Sequence, residues 1–307
     1  MGKATRVAYG EALAKLGKVN DKVVVLDADL SGSTQTKFFK KDFPDRFYNV
    51  GIAEQNLMGI ASGFAYQGFI PFASTFAVFG TGRAFEIVRN QIAYVNLNVK
   101  LALTHAGISV GEDGGSHQSI EDIALMRSLP NMTVVVPADA NEAEAAVFAA
   151  AKYEGPMYLR FSRFGGADVT SVNENFEIGK AKVLLDGKDV CIIACGLMVG
   201  EAIEASKKLK EEGIDAAVIN MHTIKPIDKD IVLKYHNKCK LIITVEEHSI
   251  IGGLGSAVSE VIAGVNGSKF AMIGINDKFG HSGDPKELFK EYGLTADNII
   301  AKVKENL

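Results

Sequence analysis

Glu54 stands in the segment NVGIAEQNLMG, just past a short strand that ends in glycine and at the start of a helical stretch. A carboxylate there ordinarily complements the helix dipole as a first-turn acid. His105 and His117 frame a second candidate. They flank the glycine-rich run AGISVGEDGGS, with Asp113 between them. Their separation suits neither a helical metal pair nor a common zinc motif. A neutral imidazole donates from one ring nitrogen and accepts at the other, which suits polyol recognition and proton transfer. Gly107, Gly111, Gly114 and Gly115 would let the backbone bend around a small ligand.

Elements of fixed direction must bring these groups together. Apolar runs at 23–28, 69–74, 100–105, 133–137 and 157–161 read as strands. Helical stretches are expected near 54–66, 80–94, 119–128 and 139–152. Continuous β-branched runs separated by helices indicate a parallel sheet covered on both faces. The pattern breaks over FSRFGGADVTSVNENFEIGKAKVLLDGKD and resumes with strands at 189–195, 215–221, 240–246 and 269–275. The fold expected is α/β, two consecutive parallel-sheet domains: residues 1–165, a linker over 166–188, and residues 189–307. Ligands of open parallel sheets bind beyond the carboxyl ends of the strands. Asp27, Asp29, His105, Arg160 and Arg163 all fall at such ends.

Composition narrows the function classes. The 307 residues are 47% hydrophobic and 23% charged, with a net charge of -4, as expected of a soluble globular protein. No basic stretch points to nucleic acid. No apolar run approaches the roughly 18 residues of a membrane span, and the N-terminal helix lacks the pattern of a cleavable signal. A cytoplasmic protein is expected. Cys191, Cys195 and Cys239 form neither a disulfide framework nor a zinc motif, so buried inert thiols are expected.

The segment GIAEQNLMG, followed by ASTF and then by LTHAGISVGEDGGSHQSIEDIALMRSLPNMTVVVPAD, resembles the transketolase family of thiamine diphosphate enzymes. The likeness runs from about Thr5 through Arg163 and continues more weakly beyond. It implies a pyrimidine-binding domain followed by a transketolase C-terminal domain, the latter structural and dimerising. It gives Glu54 a role at the aminopyrimidine of thiamine diphosphate, where a carboxyl group on the ring nitrogen favours the tautomer that can act as a base. It gives Phe76 and Phe79 the aromatic walls of that ring. A tyrosine of the family is replaced here by Gly82, with Arg83 and Phe85 as neighbours able to fill the space. It assigns proton-handling roles to His105 and His117, and substrate contacts to Arg6, Ser33, His105, Asp113, His117 and Arg163, the arginines and Ser33 serving the sugar phosphate. The resemblance leaves open whether Arg160 also reaches the phosphate, and His281 receives no role.

A transketolase also holds the diphosphate through Mg2+ with a GDG segment and a later asparagine. No GDG occurs in this sequence, and no metal ligand is expected in this chain. The resemblance therefore implies the C-terminal subunit of a two-chain enzyme. It would transfer a two-carbon ketol unit from a ketose phosphate to an aldose phosphate, beside an N-terminal subunit that carries the diphosphate site. A self-associated core within a heterotetramer is expected. Deoxyxylulose-phosphate synthase and the β subunits of 2-oxo acid dehydrogenases are the nearest alternatives. A non-catalytic scaffold is the alternative of another class.

Overall fold

The computed structural model describes residues 2–172 and 175–307. Strands β1 (Val23–Asp27), β2 (Phe47–Asn49), β3 (Ile70–Ser74), β4 (Lys100–Leu103), β5 (Thr133–Val135) and β6 (Met157–Arg160) form the first sheet. Strands β7 (Lys182–Leu185), β8 (Val190–Ala194), β9 (Ala216–Asn220), β10 (Thr223–Lys225), β11 (Leu241–Ser249) and β12 (Lys269–Ile275) follow. The sheet orders are β10-β5-β6-β4-β3-β1-β2 and β12-β11-β8-β9-β7.

Every residue of β1, β3, β4 and β6 is buried, as the continuous apolar runs require of strands covered on both faces. Both sheets are parallel except at one edge each. β10 pairs antiparallel with β5, and β7 pairs antiparallel with β9. β7 lies inside the stretch expected to be linker. Its KVLL alternates between half-buried and exposed positions, so it lacks the unbroken apolar run of its neighbours. Residues 173 and 174 of that stretch lie outside the described residues. β10 follows β9 along the chain yet completes the first sheet, so the two units interlock.

The cores reflect this. Helices Thr5–Gly17 and Ala140–Lys152 cover one face of the first sheet with Tyr9, Leu13 and Val147, against Phe72, Leu159 and Phe161. The other face merges into a cluster that joins Leu57, Leu101 and Tyr158 to Cys191, Ile219 and Tyr235 of the second unit. All three cysteines are buried and free. A third cluster lies on the far side of the second sheet and takes in Ile108 and Ile120 from the first. The helix expected near 80–94 is present, but it is wound as π-helix over Val78–Arg83 and Val88–Ala93, around a short α-helical piece at Phe85–Ile87. Such turns redirect side chains locally and recur at functional sites. The helix expected from 119 starts at Asp122, because Ser119 bridges to Ala106 first.

Candidate functional site

The site is assembled at the carboxyl ends of β1, β3, β4 and β6. Asp27 ends β1 and is fully buried. It accepts the Leu30 N–H at 2.6 Å and the hydroxyls of Thr34 at 2.7 Å and Thr36 at 2.8 Å. Burial raises its carboxyl above the usual range, against the pull of those bonds. Asp27 thus shapes the turn that carries Ser33. The Ser33 carbonyl accepts Arg6 Nη1 at 2.6 Å. Arg6 lies in the first turn of helix Thr5–Gly17, and its Nε is buried without a partner. Burial, and then the charge of Arg163, lowers its pKa. Arg163 follows β6 and donates to the Val110 carbonyl and, at 2.9 Å, to Glu112. Residues more than 150 positions apart therefore meet at one corner: Arg6 and Arg163, with Ser33 joined through its carbonyl.

His105 comes directly off β4. A main-chain bridge between Phe76 and Thr104 ties the extensions of β3 and β4, and so sets Phe76 beside His105. The two rings stack with centroids 3.8 Å apart. His105 has φ +59°, a left-handed conformation that histidine adopts more readily than most residues, and one concentrated at functional sites. Its Nδ1 lies 2.8 Å from Thr104 Oγ1. Burial, then Arg6, Arg163 and His117, pushes its pKa down to about 3, so the ring is neutral at ordinary pH. His117 packs edge-on to Phe79 at 5.4 Å and to Phe76 at 6.2 Å. Asp113 is exposed at the end of the tight turn Ile108–Asp113, which Gly107, Gly111 and Gly114 shape with φ values of +79°, +81° and +77°.

Glu54 begins helix Glu54–Tyr66 and is 3% exposed. Arg83 Nη1 lies 3.3 Å from its Oε2. The Arg83 guanidinium also sits 5.3 Å from the Phe79 ring, and Phe79 stacks at 6.0 Å on Phe76. Arg83 therefore joins the group. Phe85 instead packs half-buried against the hydrophobic core. A side chain added at Gly82 would meet nothing within 4 Å, so the position next to Arg83 has open space around it. A sparsely bonded buried carboxyl, two parallel aromatic rings and an open flank suit a flat polar ring.

Arg160 is elsewhere. It is buried against Asp122 at 2.6 Å and donates to the carbonyls of Ser119 and Glu247. Its strand-end position made it look like a site residue, but its charge is spent inside the protein. His281 is exposed and pairs with Glu291 at 2.9 Å. Sequence reasoning missed the ordering roles of Asp27 and Thr104; the polar run DADLSGSTQT after a buried strand was the available signal for the first. Among the described residues, no cluster of three or more His, Cys, Asp or Glu could hold a metal ion, and no helix is long and apolar enough to cross a membrane.

Comparison with known proteins settles the kinship. The family model "Transketolase, pyrimidine binding domain" matches residues 1–165, and "Transketolase, C-terminal domain" matches residues 179–299. The chain belongs to the transketolase family. A C-terminal section of transketolase from Methanocaldococcus jannaschii is 52% identical, over 99% of this chain and 96% of that protein. Rat transketolase is 43% identical over 98% of this chain, which spans only 48% of the rat enzyme. A solved split gene transketolase, an inactive β4 tetramer, superposes with a TM-score of 0.93 at 54% identity, covering 100% of this chain and 99% of that one. Transketolase from Leishmania mexicana gives 0.86 at 26% identity, over 99% of this chain and 45% of its own. The two α/β units are thus the transketolase pyrimidine-binding and C-terminal domains, arranged as in the C-terminal part of a split transketolase.

Proposed function

We propose that this chain is the C-terminal subunit of a two-chain, thiamine diphosphate-dependent transketolase. It would move a two-carbon ketol unit from a ketose phosphate to an aldose phosphate, and work only beside an N-terminal subunit. The observation that carries this reading is the grouping of Glu54, the Phe76–His105 stack, His117 and the Arg6–Ser33–Arg163 corner at the carboxyl end of one sheet. Partner dependence is supported by two facts. The chain aligns with only 48% of rat transketolase, and the split gene relative is inactive as a tetramer of its β chain. The diphosphate and Mg2+ would be held mainly by the partner, and this chain would also pair with a second copy of itself. A cytoplasmic site of action goes with that reading.

Glu54 would hold a proton at the ring nitrogen of the aminopyrimidine, with Phe76, Phe79 and Arg83 packing that ring. When bound, the cofactor supplies a nucleophilic carbon able to attack a ketose carbonyl. Around it, each side chain has a separate task. Thr104 engages His105 Nδ1, which leaves Nε2 to exchange a proton with a substrate oxygen. His117 shares that task from across the Phe76 ring. Asp113 would accept a hydrogen bond from a donor hydroxyl. Arg6 and Arg163 would bind the terminal phosphate and so fix the distance between it and the reacting carbon.

The test combines this chain with a GDG-bearing N-terminal subunit, thiamine diphosphate, Mg2+, a ketose phosphate and an aldose phosphate. Two-carbon transfer is expected. Glu54→Gln should lower kcat by about 10²–10⁴-fold, the range for a lost proton-transfer partner, with the urea midpoint unchanged. Near-normal turnover of that variant would overturn the assignment of Glu54. No transfer from any donor, with cofactor bound, would favour the scaffold instead.

A further inference from the structure

The loop that carries Asp113 and His117 belongs to the first domain by sequence but rests on the second. Ile108 is fully buried in the core cluster that contains Val245, Ile275 and Leu288. Gly107 lies against Glu247 so closely that no Cβ fits between its Cα and Glu247 Oε1. That same oxygen accepts the Ser109 N–H at 2.6 Å. At the other end of the loop, Gln118 Nε2 donates to the His281 carbonyl at 2.9 Å. A Cβ at Gly114 would stand 2.5 Å from Ser282 Oγ, and one at Gly115 would stand 2.5 Å from the Gly280 carbonyl oxygen, so the loop backbone lies directly against this segment.

Glu247 is itself immobilised. It sits on β11, is 4% exposed, and its carbonyl accepts Arg160 Nη2 at 3.0 Å. A buried carboxyl is costly unless hydrogen-bonded, and this one spends its bond on the main chain of the loop. We propose that Glu247 is a positioning residue: from the C-terminal domain it fixes, through the Ser109 N–H, the loop that presents Asp113 and His117 to the substrate. The proposal rests on reading that loop as substrate-binding. Without the carboxylate, Ser109 would be left with a buried unpaired donor, which the backbone avoids by moving. A displacement of about 1 Å at such groups can cost about a hundredfold in rate. An amide at the same place keeps an acceptor oxygen, so glutamine should largely replace glutamate.

The experiment has two arms. In the first, hydrogen exchange is measured on this chain alone. Glu247→Ala should speed exchange over residues 107–118 by about tenfold, the effect of losing one buried hydrogen bond, while β1 and β8 stay protected. Glu247→Gln should resemble the unaltered chain. Unchanged loop exchange in Glu247→Ala, or an equal rise in β1 and β8, overturns the proposal. If the alanine variant does not fold, Glu247→Asp withdraws the same oxygen more gently and must give the same local rise. In the second arm, the two-subunit complex is assayed. Glu247→Ala should lose about a hundredfold in kcat/KM with thiamine diphosphate binding unchanged, and Glu247→Gln should recover most of it. Equal losses in both variants would overturn the proposal. If the unaltered complex transfers no ketol unit, the functional reading falls alone, and the exchange arm still decides whether Glu247 holds the loop.

Discussion

Arg6 illustrates how the site distributes charge. Its Nη1 is bonded to the Ser33 carbonyl, its Nε is buried without a partner, and Arg163 lies near enough to lower its pKa. Two like charges held together with an unused donor favour an incoming anion. Arg6→Ala is expected to raise KM for the ketose phosphate by roughly ten- to a hundredfold, the scale of one charge-assisted hydrogen bond, with a smaller change in kcat. Inhibition by inorganic phosphate should weaken in parallel. A variant with unaltered KM and unaltered phosphate inhibition would remove Arg6 from the anion site. Residues of this kind were legible in the sequence only through their resemblance to a family. Glu54, His105 and His117 also carried a chemical signature of their own. Glu247 did not, because its partner Ser109 is 138 positions away, although two glutamates and a histidine at the end of the apolar run LIITVEEHS marked β11 as unusual.

At the scale of elements, Asp139 does two jobs. It caps helix Ala140–Lys152 by accepting the Glu142 N–H at 2.9 Å. It also accepts the Val169 and Thr170 N–H groups at 2.7 and 2.6 Å and the Thr170 hydroxyl at 2.7 Å. The start of the interdomain stretch is thereby pinned to the first domain. Asp139→Ala should destabilise by about 2–4 kcal/mol, from a lost cap and donors left unpaired. Urea unfolding would measure it, and a loss below about 0.5 kcal/mol, the usual surface effect, would contradict this account. The long buried strands were readable because burial on both faces demands an unbroken apolar run. β7 and β10 were not, since an edge strand of three or four residues needs no such run. The helix at 78–93 was legible from its apolar spacing, but its π winding was not, since a wider turn leaves no mark on composition.

Across the whole molecule, buried titratable groups of opposite behaviour oppose one another. Burial lowers His105 to about 3 and His222 and His248 to about 4. Burial raises Glu142, Glu246 and Glu247 to about 7. The imidazoles bind protons in the unfolded chain below about pH 6.5 but not in the folded one, so they lower stability as pH falls through that value. The carboxyls are protonated in the folded chain and ionised in the unfolded chain above pH 4.5, so they lower stability as pH rises from 4.5 through 7. The two sets cancel between about pH 4.5 and 6.5. These groups therefore predict a plateau there, a loss as pH falls below 4.5, and a loss of similar slope as pH rises from 6.5 to 7. Unfolding free energies from urea titrations across pH check this, and a steady rise from pH 6.5 to 8 would count against it.

The strand β10 also sets a schedule for the nascent chain. β5 leaves the ribosome with one edge of its backbone unmatched, and the segment that closes it, Thr223–Lys225, is made only after β6 through β9. At about 5–20 residues per second, that interval lasts roughly ten seconds. Through it the first sheet exposes a bare edge to any other extended segment nearby. Synthesis of the second domain thus ends the period in which the first is most prone to aggregate.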